Sequence, residues 1–156
     1  MSRIELPDEA ATARLGAALA PRARPGSVLF LRGDLGAGKT TLVRGLLRAL
    51  GYAGRVKSPT YGLLELYPLS RLNLYHFDFY RVKDRSEWES SEFRDYFNPE
   101  SVCLVEWPER AAGALPRPDL EVGLDFAGTA RCATLTAGSE AGRVWLADAV
   151  RRWQPA

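Results

Sequence analysis

Gly33-Asp34-Leu35-Gly36-Ala37-Gly38-Lys39-Thr40 decides how this chain is read. It fits the pattern G-x-x-x-x-G-K-[ST], in which a glycine-rich turn cradles phosphate oxygens on backbone N–H groups. The flanks agree with that mechanism. Val28-Leu29-Phe30-Leu31 before it reads as a short buried strand. After it, Leu42, Val43, Leu46, Leu47 and Leu50 recur at helical spacing, and Gly51 stands where a helix-ending glycine is expected. The glycines let the backbone curl, and the new helix adds the positive end of its dipole. Lys39 is placed to reach the β- and γ-phosphates, and the Thr40 hydroxyl to ligate Mg²⁺.

A second acidic element follows. Val102-Cys103-Leu104-Val105 is an apolar run of the kind buried on both faces of a parallel sheet, and it ends at Glu106. An apolar strand closed by an acid is the Walker B arrangement, which holds Mg²⁺ directly or through water. Trp107 follows; core packing is the default for a tryptophan there, but its position puts it close to the expected nucleotide. Between the two elements, residues 62–80 read as a hairpin turning at 68–71. Alternation in its second strand puts Leu72, Leu74, His76, Asp78 and Tyr80 on one face, with Asn73, Tyr75, Phe77 and Phe79 on the other. Asp78 among so many aromatics needs a partner or a task. It either pairs with an arginine or positions a water at the nucleotide. His76 reads equally as a structural or a catalytic histidine. The loop Lys57-Ser58-Pro59-Thr60-Tyr61 lies just beyond the helix, where nucleotide-sensing loops place a hydroxyl. A plain connecting loop is the alternative.

The rest reads as scaffold. Ile4 and Leu6 sit in a short strand, and a packing helix runs from about Asp8 to Ala20. A short aromatic-bearing helix with Trp88, Phe93, Tyr96 and Phe97 is expected before Asn98-Pro99. A strand at 120–126 turns through Ala127-Gly128-Thr129 into a partner at 131–136. Ser139 is placed to cap a last helix carrying Trp145, Leu146, Ala149, Val150 and Trp153 on one face. The 156 residues suffice for one domain, taken as 1–156. The expected fold is a three-layer α/β phosphate-loop NTPase domain, with a mostly parallel central sheet and antiparallel hairpins at the edge.

Composition excludes several classes. At 46% hydrophobic and 26% charged, the chain is an ordinary globular one, and no apolar run reaches the length of a membrane span. No signal-peptide pattern is present, so a cytoplasmic location is expected. Cys103 and Cys132 are expected to be reduced core thiols, and with one histidine and no C-x-x-C a zinc site is not expected. The net charge is only +2, and Lys39, Lys57 and Lys83 are the lysines among 21 basic residues. Scattered arginines of that kind do not make the basic face of a protein that grips RNA by itself.

Taken together, the ordered motifs resemble the TsaE (YjeE) family. They are the loop with Thr41, then Ser58-Pro59-Thr60-Tyr61, His76-Phe77-Asp78-Phe79-Tyr80-Arg81, and Val105-Glu106-Trp107-Pro108-Glu109-Arg110. The set spans residues 33–110, about half the chain. The resemblance implies an ATPase of bacterial tRNA threonylcarbamoyladenosine biosynthesis, weak alone. It would act with the TsaB–TsaD pair, meet tRNA through that complex, and use ATP/ADP and Mg²⁺. By position it implies nucleotide binding by Asp34, Leu35, Gly36, Ala37, Gly38, Lys39, Thr40, Thr41, Thr60 and Trp107. It implies catalysis by Lys39, Asp78 and Glu106, and metal binding by Thr40 and Glu106. Gly62 replaces a threonine common in the family, and Ser91-Glu92-Phe93 lacks an expected glycine. A small-molecule kinase and a nucleotide-dependent interaction module with negligible hydrolysis are the competing functions.

Overall fold

The computed structural model describes residues 1–57, 59, 63–82, 95–111 and 113–153. Seven strands form one sheet: β1 (Ser2–Leu6), β2 (Val28–Arg32), β3 (Leu64–Pro68), β4 (Asn73–Asp78), β5 (Ser101–Glu106), β6 (Leu120–Ala127) and β7 (Ala130–Ala137). Their order is β1-β7-β6-β2-β5-β4-β3. The central strands β6, β2, β5 and β4 are mutually parallel. Antiparallel pairings of β3 with β4, of β7 with β6 and of β1 with β7 close the two sides. The fold is the expected α/β one: β1, β6, β2, β5 and β4 run one way, and β7 and β3 the other. Among the described residues, no helix is long and apolar enough to cross a membrane.

The period-2 pattern assigns the faces. Leu29, Leu31, Leu74, Val102, Leu104 and Val122 pack on one side with α1 (Glu9–Leu19), α2 (Lys39–Ala49) and α3 (Glu140–Arg152). Val28, Phe30, Phe77, Phe79, Cys103 and Val105 pack on the other, against Tyr96, Phe97 and the 3-10 turn Pro108–Ala111. Phe77 stacks on Phe97 at 4.9 Å. The helix expected before Asn98 falls mostly in 83–94, and Ser58, Thr60, Tyr61 and Gly62 are likewise outside the described residues.

Caps sit where the sequence places them. The Asp8 carboxylate accepts from Ala11 N, and the Ser139 hydroxyl from Gly142 N. Gly51, at φ 98°, follows α2 in the left-handed conformation. Both cysteines are free. Cys103 is in the core, where burial pushes its thiol up to about 12. Cys132 is only half-buried and is not the core thiol expected, because alternation on β7 turns it away from the face on which Ala133 and Leu135 enter the core.

α1 and α2 touch backbone to backbone. A Cβ at Gly16 would lie 2.1 Å from the Leu42 carbonyl oxygen, and one at Gly45 the same distance from that of Ala13. Only a residue without a side chain permits this approach, and it sets α1 against the helix that follows the phosphate loop. Gly45→Ala therefore forces the helices apart. It is expected to lower stability by about 2–3 kcal/mol despite the better helix propensity of alanine. In thermal melts that is a drop of roughly 5–10 °C for a domain of this size. An unchanged midpoint would show that the helix pair yields freely.

Candidate functional site: a glycine-rich cleft at the ends of the parallel strands

The loop from Gly33 to Gly38 leaves β2 and enters α2. Gly33, Gly36 and Gly38 have φ of 150°, 83° and 107°, so the curl depends on their lack of a side chain. A Cβ on Gly33 would also stand 2.8 Å from the Leu124 carbonyl oxygen. α2 begins at Gly38 with no side-chain cap, whereas α1 and α3 are capped by Asp8 and Ser139. Its first N–H groups thus face the cleft with the positive end of the dipole behind them. The cleft measures about 420 Å³. Leu35, Gly36, Ala37, Gly38, Lys39, Thr40, Thr41, Asp78, Glu106 and Trp107 all line it. Asp34 belongs to the loop, where its carbonyl accepts from Ala37 N at 3.1 Å, but it is not part of the cleft wall.

Lys39 is 6% exposed and reaches inward. Its ammonium donates to the Gly33 carbonyl at 2.6 Å and lies 3.5 Å from Glu106 Oε1. The Trp107 ring sits 4.5 Å from Nζ, close enough for a cation–π contact. Trp107 adopts φ 55°, a left-handed conformation that costs a tryptophan about 1–2 kcal/mol. That turn swings the indole off the end of β5 and over Lys39. Tyr80 packs against the indole at 5.0 Å between ring centroids.

Parallel pairing of β4 with β5 brings the acids together. Asp78 and Glu106 are register partners at the carboxyl ends of neighbouring strands, where open α/β sheets bind ligands. Glu106 is 3% exposed. Its Oε2 meets His76 Nε2 at 2.5 Å, and His76 is fully buried. Burial alone would raise the Glu106 carboxyl. The His76 hydrogen bond and charge, with Lys39, outweigh it and hold the group below the usual carboxylate range. An ionised carboxylate only accepts, so His76 Nε2 carries the shared proton. His76 Nδ1 has no partner among the described residues. The sequence left His76 open between two roles; the geometry joins it to Glu106 and so to the site.

The residues present suit Mg²⁺ and a polyphosphate. The Thr40 hydroxyl and the Glu106 carboxylate are hard oxygen donors, and Mg²⁺ takes one or two such groups alongside waters and phosphate oxygens. Among the described residues, no cluster of three or more His, Cys, Asp or Glu offers an all-protein metal cage.

The structure also adds walls that the sequence reading assigned to scaffold. Asp8, the cap of α1, and Glu9 and Thr12 on the helix line the cleft, and the Thr41 hydroxyl lies 3.4 Å from Glu9 Oε1. Thr129 and Arg131, from the β6–β7 turn and β7, line its other side. No local motif marks them, because strand order brings them in.

Comparison with known proteins points to one family. The family model described as "Threonylcarbamoyl adenosine biosynthesis protein TsaE" matches residues 6–132. Over 143 residues the chain is 43% identical to the tRNA threonylcarbamoyladenosine biosynthesis protein TsaE of Haemophilus influenzae, covering 88% of this chain and 90% of that one. It is 43% identical over 118 residues to the protein of that name from Bacillus subtilis, covering 76% and 72%. The crystal structure of Bacillus subtilis YdiB superposes with a TM-score of 0.83 at 31% identity, covering 96% of this chain and 94% of that one. With the family model spanning most of its length and a solved relative matching its fold throughout, the chain belongs to the TsaE family.

Proposed function

We propose that this chain binds ATP with Mg²⁺ and hydrolyses it in support of tRNA threonylcarbamoyladenosine modification, acting with the TsaB–TsaD pair. The observation that carries the reading is the placement of Lys39 and Glu106, 3.5 Å apart, beside the uncapped start of α2. A phosphate-neutralising ammonium and a carboxylate able to hold a metal then stand side by side in one cleft. Family membership supports the pathway, and the modest net charge of +2 supports contact with tRNA through the complex.

In this reading the N–H groups of residues 35–41 bind the phosphates. Lys39 bridges the β- and γ-phosphates and offsets charge that develops as the terminal bond breaks. Thr40 and Glu106 would hold Mg²⁺, whose chemistry is to neutralise the phosphate oxygens. Asp78, beside Glu106 at the strand end, orients the attacking water, and Trp107 shields the ammonium from solvent. Thr60 remains a proposed switch hydroxyl.

The test is ATP hydrolysis by the protein alone and with purified TsaB–TsaD. Turnover that rises on adding the pair is expected. ATP binding without any stimulation would leave the nucleotide site and remove the partner assignment. Transfer of labelled phosphate to a metabolite would replace hydrolysis with a kinase activity. Asp78→Ala is expected to reduce turnover about a hundredfold with ATP affinity unchanged. Full turnover by that variant would remove Asp78 from the mechanism.

A further inference from the structure

Arg131 does nothing in the phosphate chemistry just described, yet it lines the same cleft. It stands on β7, two strands from β2 on the side away from Glu106 and Asp78. Its surroundings are specific. Nη2 donates to the Gly36 carbonyl at 3.3 Å, and Nη1 to those of Ala130 and Thr129 at 2.9 and 3.3 Å. Its guanidinium lies 4.3 Å from the centroid of Phe126, which is 51% exposed and itself approaches the position of a Gly36 Cβ to 3.9 Å. Phosphate loop, exposed aromatic and arginine thus form one packed group.

Two features decide what that group is for. First, three of the guanidinium's five N–H donors go to backbone carbonyls, which pins its plane against the loop, and the flat face turned away from Phe126 is what it offers a ligand. An arginine that clamps phosphate needs the opposite arrangement. Second, the cleft has a direction. Glu106 and Asp78 on β5 and β4 mark the end of the terminal phosphate, and the loop at the end of β2 carries the phosphate chain. At about 4.8 Å per strand, β4 and β7 are roughly 19 Å apart across the sheet. An extended nucleoside triphosphate with its γ-phosphate at the acids therefore lays its base towards β7. We propose that Arg131, backed by Phe126, is the stacking platform of a base subsite at this end of the cleft. It takes the planar ring of a purine and sets the affinity for the nucleoside part of the ligand. The inference rests on the nucleotide reading above and assigns a residue to it.

Titration calorimetry with three probes tests it: ADP, ATP and inorganic tripolyphosphate, each with Mg²⁺. Wild-type protein that binds tripolyphosphate but gains nothing from the nucleoside would overturn the subsite while leaving the phosphate site intact. Wild-type protein that binds none of the three would overturn the nucleotide reading itself. Given nucleotide binding, Arg131→Ala is expected to weaken ADP and ATP alike, by about tenfold, with tripolyphosphate affinity unchanged. Arg131→Lys keeps the charge but not the plane and is expected to lose nearly as much. Tripolyphosphate weakened as much as ATP, or full rescue by lysine, would make Arg131 a phosphate-contacting charge and overturn the proposal. Phe126→Ala leaves the arginine and its carbonyl contacts in place. It is expected to weaken ADP by a smaller factor, and thermal melts of all three variants check that β7 still pairs.

Discussion

Lys39→Ala is expected to lower ATP turnover about a thousandfold and ATP affinity on the order of a hundredfold. The size follows from position. The ammonium is almost wholly removed from water, walled by the Trp107 ring and aimed along the loop by the Gly33 carbonyl at 2.6 Å. Charge–charge attraction is much stronger there than at a surface. Lys39→Arg is expected to fail almost as badly, since a longer planar fork does not fit the space of a point charge. The alanine variant also leaves Glu106, among the described residues, with His76 as its remaining hydrogen-bonded partner, so a stability loss of about 1–3 kcal/mol accompanies the functional one. Nucleotide affinity and melting midpoint should therefore be measured on the same sample. Undiminished turnover in the alanine variant would remove the phosphate loop from the chemistry altogether.

What was legible in the sequence depended on range. The phosphate loop is written in eight contiguous residues, and its consequences are local: three glycines at positive φ, a helix starting at Lys39 and a stop at Gly51. Strand parity was legible for the same reason, and it set Leu74, His76 and Asp78 apart from Phe77 and Phe79 before any pairing was known. Pairing itself was not legible. That His76 meets Glu106 follows from the register of β4 on β5, which aligns His76 with Leu104 and Asp78 with Glu106. That Thr129 and Arg131 reach the cleft follows from β7 lying beside β6 and β6 beside β2. The same holds for Gly16 and Gly45, which no local pattern singles out and which mark the place where the helices meet. Each of these depends on residues far apart in the chain, and no single-sequence periodicity carries such information.

His76→Leu and His76→Gln separate a packed ring from a positioned carboxylate. Glu106 divides its oxygens, Oε1 towards Lys39 and Oε2 towards His76. Leucine fills much of the ring's volume but leaves Oε2 buried without its donor. The expected result is a stability loss of about 2–3 kcal/mol near neutral pH and turnover reduced about a hundredfold, with a higher Mg²⁺ requirement. The pH dependence follows from the same pair. Because the Glu106 carboxyl is held below its ordinary value, its charge stabilises the fold fully above the unfolded value. That contribution disappears as pH falls through the lower, folded value. Removing His76 takes away the strongest influence that lowers it. In the metal-free protein, the gap between wild type and His76→Leu should be widest near neutral pH and shrink in acid. Glutamine places an amide N–H near the position of Nε2, so His76→Gln should recover most of the stability and most of the turnover. If glutamine proves as damaging as leucine, the ring's shape matters and the bond to Glu106 does not. If both variants keep full turnover while losing stability, His76 supports the sheet and has no part in positioning the carboxylate proposed to hold Mg²⁺.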